Sequence, residues 1–397
     1  MNFEDWISYR YLAAQRGGFL SFLKMTSIVG VAIGVAALII VIGVMSGFGN
    51  NLREKIIGTT PHVVIEKENG IGDYAAIEEK LKAIPGVSGT SPYIQGNVFL
   101  EVAGQARGVV VRGIDPQTED QVTNIKQYFK SGSLVDLKEE GVLIGSELAR
   151  YYGYSLGDQI VLLAPGSGLS GRGWKYPLTI IGIFNTGMVD YDMNLLLIHL
   201  KKARQIFDIP AQQTLGLGVK LQDPYRAQEL KEQIYQALDY SYYVKTWIDV
   251  NHSLFDALFL EKWGLFLILM LMILVASFNI ISTLIVTVTS KIHDIGILKS
   301  FGVPKASIHR IFLKQGMFIG MLGTFWGIVA GVGISYLLRT YVKVPQEIYS
   351  IDRVPIELQL SDILAIVAAS LVITYLATLY PAAKAARLQP VDALRYE

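Results

Sequence analysis

The sequence predicts an integral membrane α-helical protein with four transmembrane helices and a large α+β domain outside the bilayer. Three observations carry that reading. Four long apolar segments hold no Asp, Glu, Lys, Arg or His; 51% of the 397 residues are hydrophobic, with a mean hydropathy of +0.39; and a β-rich, water-facing stretch separates the first apolar segment from the second. The segments are residues 27–48, 263–289, 315–338 and 363–380. At 1.5 Å per residue each can cross a hydrocarbon core about 30 Å thick. Ionisable groups inside a membrane mark proton and ion pathways, so their absence argues against ion-coupled transport and for an outside energy source.

The elements follow in order. In residues 1–26, Phe3, Trp6, Ile7, Tyr11 and Ala14 recur at three- and four-residue spacing. That fits an amphipathic helix along the cytoplasmic interface, and a short solvated helix fits as well. The segment 27–48 is longer than a signal-peptide core and lacks a small-residue cleavage site, so it is expected to stay as a membrane helix. Lys291, Lys299, Lys305, Arg310 and Lys314 crowd the 290–314 connection, and Lys384, Arg387 and Arg395 fall in the 381–397 tail, which puts both on the cytoplasmic side. In the 339–362 connection Lys343 and Arg353 are balanced by Glu347, Asp352 and Glu357, so that side and residues 49–262 face outward. In a double-membraned bacterium the outer domain is then periplasmic, the membrane is the inner one, and both termini are cytoplasmic.

Within the outer domain, short β-rich runs at 63–66, 98–102, 109–114, 142–144, 159–163, 178–184, 195–199, 216–221 and 242–246 read as strands. Helices fit 74–83, 146–152 with Ser146 as N-cap, 201–207, and 224–238 with Asp223 as N-cap. Residues 50–57 and 251–261 look like helical stalks continuous with the first and second membrane helices. They suit either a mechanical link or a passive spacer. Glycines at 30, 34, 43, 47, 316, 320, 323, 327 and 331 allow close helix approach, within one subunit or between two.

Several function classes drop out. A net charge of +1 gives no reason to expect nucleic acid, and the absence of cysteine removes disulfides, thiol catalysis and cysteine metal sites. Gly166, Gly168 and Gly171 spell a dinucleotide-like pattern, but Trp174, Lys175, Tyr176 and Pro177 lead into a strand and not a helix. No nucleotide-phosphate loop, nucleophile elbow or zinc-protease motif occurs, and the five histidines read as ordinary surface or interface residues. The sequence holds no complete active site, so neither an enzyme nor a bound cofactor or metal is expected.

Residues 278–305 read FNIISTLIVTVTSKIHDIGILKSFGVPK. Here a membrane helix exits into a short amphipathic segment with Ile295, Ile297, Leu298 and Phe301 beside Asp294 and Lys299, ending at Gly302. An apolar face without a core of its own wants a partner. The segment resembles the coupling helix of the FtsX/MacB superfamily of ABC transporter permeases, which sits on a separate ATPase. The run SIVGVAIGVAALIIVIGVMSGFGNNLREKIIGTTPHVVI from Ser27 and the ending TLYPAAKAARLQPVDALRYE from Thr378 narrow the likeness to the lipoprotein-releasing LolC/LolE permeases, over essentially the whole chain.

That resemblance implies a mechanotransmission subunit. It would lift acylated lipoproteins from the membrane lipids and pass them to a periplasmic carrier, beside a cytoplasmic ABC ATPase and a second permease subunit, the same chain or a homologous one. An efflux permease of the superfamily and a scaffold that activates cell-wall hydrolases are the alternatives. Three sets of residues are expected to act. Asp294, Ile295, Ile297, Leu298, Lys299, Phe301 and Gly302 would couple to the ATPase. Val44, Met45, Phe48, Leu52, Ile56, Phe259 and Trp263 would line a lipid cleft, although packing inside the subunit also suits them. The tip 165–177, with Pro165, Leu169, Arg172, Trp174, Tyr176 and Pro177, would be a carrier-binding hook. An exposed Trp beside an Arg on a glycine-rich hairpin is the composition of a binding hot spot.

Overall fold

A computed structural model describes residues 3–13, 18–164, 174–342 and 353–388. Two units divide the chain: a helical unit of Met1–Gly49, Ala257–Lys343 and Arg353–Glu397, and a sheet unit built from Asn50–Asp256.

The described strands of the sheet unit are β1 (Val63–Ile71), β2 (Val87–Val102), β3 (Gln105–Ile114), β4 (Phe129–Ser131), β5 (Gly141–Gly145), β6 (Gln159–Ala164), β7 (Trp174–Phe184), β8 (Leu195–His199), β9 (Thr214–Leu221) and β10 (Tyr243–Thr246). They form one mixed sheet in the order β10-β1-β9-β2-β3-β8-β5-β7-β4, with β6 pairing β2 and β7. Pairs β3–β8 and β5–β7 are parallel and the others antiparallel. Strand β2 joins the two halves. Its first part, through Tyr93, pairs with β9, and on the same edge Phe99, Leu100 and Glu101 pair with β6. At the changeover Gly96 lies under the Phe207 ring, where a β-carbon would overlap it.

Alternation of apolar and polar residues places the two larger of three described cores of the sheet unit. One gathers Ile94, Leu100, Val111, Ile144, Leu162, Ile180 and Ile198 with α4 (Ser146–Tyr152) and α6 (Leu200–Phe207). The other gathers Ile65, Leu217, Val219 and Val244 with α3 (Tyr74–Lys82), α7 (Ala227–Leu238) and α8 (Trp247–Val250). Capping follows local chemistry: Asp73 accepts the Ala76 N–H, and Thr246 and Asp249 cap α8 reciprocally.

Some expectations need correction. Gly145, and not Ser146, is the N-cap of α4: its backbone is extended at φ −76° and ψ 152° and the helix starts at Ser146, while the Asp192 backbone lies where a side chain on Gly145 would be. Asp223 does accept the Tyr225 N–H, but its first turn, Pro224–Arg226, is a 3₁₀ turn before α7. Strand β4 and helix α5 (Val189–Asn194) were too short to carry a periodic signal. His62 is not a surface residue. It is 4% exposed, and its Nδ1 accepts the Leu221 N–H at 3.1 Å.

In the helical unit are α1 (Phe3–Ala13), α2 (Gly18–Thr59), α9 (His252–Ser290), α10 (Ile292–Ser300), α11 (Lys305–Tyr341) and α12 (Leu360–Arg387), α2 and α9 each also reaching into the sheet unit. Among the described residues, α2, α9, α11 and α12 are the four helices long and apolar enough to cross a membrane. Their shared core holds Val31, Leu38, Ile39, Ile273, Ile280, Ile319, Ile366 and Ile373. Helix α11 lies between two neighbours by way of its glycines. β-Carbons on Gly316 and Gly320 would overlap Thr378 and Thr374 of α12, while those on Gly323 and Gly327 would come within 2.8 Å and 2.6 Å of Val31 and Val35 of α2. Of the two readings of the glycine pattern, packing within one subunit is therefore the one this chain uses for these positions. Helix α1 packs on α11, with the Ser8 hydroxyl donating to the Ile311 carbonyl at 2.9 Å.

Candidate functional site

Helix α10 is the surface element of the expected coupling set. Ile295, 1% exposed, fixes it to Val288, Ile308, Phe312, Ala382 and Ala385. It stops because Gly302 adopts φ +85°, a left-handed conformation that suits glycine, and Pro304 then opens α11. Ile297 and Phe301 are exposed, Phe301 at 83%, and Leu298 is half-buried. Two of the seven make contacts inside the helical unit. Ile295 is an internal anchor, and Lys299 turns inward: its Nζ donates to the Ala386 carbonyl at 2.8 Å and to the Leu388 carbonyl at the end of α12. Burial, with Lys305 nearby, lowers the pKa of that ammonium. Asp294 pairs with Lys291 at 2.8 Å.

The expected cleft residues separate. Val44, Met45 and Phe48 are half-buried along α2, while Phe259 and Trp263 are exposed on α9 and make an edge-on series with Phe266, with centroids 6.2 Å and 5.6 Å apart. Leu52 is half-buried in the sheet unit. Ile56 is 2% exposed and belongs to the second core, so it is a packing residue and offers no side chain to a cleft.

Sequence reasoning missed a polar cluster close to these residues. Lys262 of α9 donates from Nζ to Asp362 of α12 at 2.9 Å and 3.2 Å and to the Ser46 hydroxyl of α2 at 3.1 Å. Ser46 in turn donates to Asp362 at 3.0 Å. The chain before α12 lies in the α2 groove: Glu357 N–H donates to the Gly43 carbonyl at 3.0 Å, and a β-carbon on Gly47 would overlap the Pro355 carbonyl. A signal was present, since Lys262 and Asp362 each directly precede an apolar segment. Opposite charges at two segment ends do not by themselves say that the ends meet.

The hairpin of β6 and β7 carries the expected hook. Pro165, Leu169 and Arg172 lie outside the described residues. Of the others, Trp174 is 66% exposed opposite Ala164, Pro177 is exposed opposite Val161, and the Tyr176 hydroxyl donates to the Gln205 carbonyl at 3.3 Å. Lys175 pairs with Glu101 of β2 at 2.7 Å, which ties the hairpin base to the sheet.

A sheet unit inserted between the first and second of four long apolar helices, with a short exposed helix after the second, defines a permease class. The chain matches the family models for a MacB-like periplasmic core domain over residues 25–237 and for an FtsX-like permease C-terminal region over residues 266–390. It is 34% identical to the lipoprotein-releasing system transmembrane protein LolC of Neisseria meningitidis serogroup B, and 30% identical to the LolE protein of Haemophilus influenzae, with 99% of each chain covered in both cases. The periplasmic region of MacB from Actinobacillus actinomycetemcomitans is a solved structure with 15% identity and a TM-score of 0.33, covering 50% of this chain and 94% of that one. The chain belongs to the LolC/LolE family of lipoprotein-releasing transmembrane proteins.

Proposed function

We propose that this protein is the permease subunit of an ABC transporter that releases acylated lipoproteins from the inner membrane and hands them to a periplasmic carrier. The observation that carries the reading is the full-length likeness to LolC and LolE proteins, which runs through both units. The four long helices are proposed as transmembrane, with spans at 27–48, 263–289, 315–338 and 363–380, the sheet unit in the periplasm and both termini in the cytoplasm. ATP hydrolysis falls to a separate ATPase seated on Ile297, Leu298 and Phe301, with a second permease subunit alongside. Val44, Met45, Phe48, Phe259 and Trp263 are proposed to meet acyl chains, and the β6–β7 hairpin is proposed to grip the carrier.

Physical chemistry supports the need for an engine. At about 0.8 kcal/mol per buried methylene, an acyl chain of about fifteen methylenes holds on by about 12 kcal/mol. The cargo must therefore move between apolar surfaces, never through bulk water. The test is reconstitution of the chain with its ATPase and a second permease subunit in vesicles loaded with a triacylated lipoprotein. ATP and carrier together should release the cargo as a soluble complex. Cargo that stays in the vesicles while ATP is hydrolysed at full rate would refute lipoprotein release.

A further inference from the structure

The Ser46–Lys262–Asp362 cluster and the Lys299 tie share one helix. Asp362 stands in the first turn of α12, and the carbonyls of Ala386 and Leu388 that receive Lys299 lie at its other end. With 28 residues, α12 spans roughly 42 Å at 1.5 Å per residue. Between those ends it is keyed to α11: Thr378 and Thr374 sit on Gly316 and Gly320, and the Thr324 and Ser370 hydroxyls bond at 2.9 Å. Sliding one helix along the other would force the threonine methyls over neighbouring side chains. The α11–α12 pair is thus suited to move as one body.

From this placement we infer that α12 is a strut joining the coupling helix to a polar latch that ties its first turn to Ser46 of α2 and Lys262 of α9. Lys299 is a positioning residue that pins α10 to the strut, and Lys262, Asp362 and Ser46 form the latch. The groove beside the latch is filled. Gly43 and Gly47 admit the 355–359 segment so closely that a void of about 10 Å³ is left among Ile39, Ile42, Leu358 and Ile363. Among the described residues, that segment occupies the groove of α2 around Gly43 and Gly47 next to the start of α12. A displacement of α10 that pulls on α12 loads the Lys262–Asp362 pair, an ammonium–carboxylate contact shared by three helices. The coupling half of this inference rests on the ATPase reading above; the latch half does not.

The absence of cysteine makes the test direct. Spin labels are placed at Leu260→Cys and Leu360→Cys, two exposed positions beside the latch, in the full chain assembled with its ATPase and partner permease in lipid discs. Without nucleotide the interlabel distance should form one narrow distribution. Lys262→Met or Asp362→Asn should broaden it, and the swap Lys262→Asp with Asp362→Lys should restore it. Trapping with ATP and vanadate should shift the distribution, and Lys299→Met should abolish that shift while the ATPase stays bound. A swap that stays broad refutes the latch. A full shift in Lys299→Met, or loss of ATPase binding in that variant, refutes the strut. If the unmutated complex binds no ATPase in pull-down, the functional reading and the strut fall together, while the nucleotide-free distances still decide the latch.

Discussion

His62 shows how far burial changes one side chain. Held among β1, β9 and the start of α8, it accepts the Leu221 N–H and passes its own carbonyl to the Trp247 N–H at 2.9 Å. Burial, reinforced by Lys220, pushes its pKa from 6.5 down to about 4. The fold therefore favours the neutral ring, and the unfolded chain binds the proton first as pH falls. The stability His62 contributes is full above pH 6.5 and is lost as pH drops toward 4, by about 2 kcal/mol at pH 5. Hydrogen exchange of the β9 amides, corrected for intrinsic rate, should report that loss between pH 7.5 and 5. His62→Asn keeps an acceptor and cannot titrate, so it should flatten the response; equal protection at both pH values in the unaltered chain would show the assignment to be wrong.

At the scale of the element, α10 separates what holds a helix from what the helix offers. Phe301→Ala removes a large exposed ring and should weaken ATPase binding by about 2 kcal/mol, roughly 30-fold, with little change in the melting of the permease. Ile295→Ala opens a cavity under the helix and should cost about 2–5 kcal/mol of local stability. The two readouts, affinity by calorimetry and protection of α10 by hydrogen exchange, should respond to opposite variants. Loss of affinity only in Ile295→Ala would remove Phe301 from the contact. Helix α11 makes a further prediction. Gly320→Leu places a branched side chain against Thr374 and should separate α11 from α12, lowering the thermal midpoint in detergent by overpacking of about 1–3 kcal/mol or more. Gly333 has no atom within 4 Å of where its β-carbon would be, so Gly333→Ala should leave the midpoint unchanged. Equal midpoints for both variants would contradict the packing.

Across the whole molecule, the hairpin and the coupling helix should fail separately. Deleting residues 166–174 should abolish carrier binding and leave ATP hydrolysis intact, and Trp174→Ala should lose about 2 kcal/mol of carrier affinity on its own. Replacing Phe301 should do the reverse. A deletion that keeps full carrier affinity in surface plasmon resonance would rule out the hook.

The sequence by itself determined the four apolar helices, the placement of an α+β unit between the first two, the short segment after the second and the family. These rest on local quantities: run length, period, the sign of charge beside a segment, and short motifs. Strand β8 and helix α4 have the bounds that alternation and helical spacing predict. Tertiary structure alone decided the rest. Ile56 and Phe48 look alike as apolar residues eight positions apart on one helix, yet only Ile56 meets a β-sheet core. Lys299 reads as a surface charge until the end of α12 arrives beside it, and Lys262 and Asp362 are 100 positions apart in the chain. Periodicity says which face of an element is apolar. Which element covers that face, and which charges that contact brings together, depends on the packing of segments distant in sequence, so the inward tie of Lys299 and the Ser46–Lys262–Asp362 cluster emerge only from the fold.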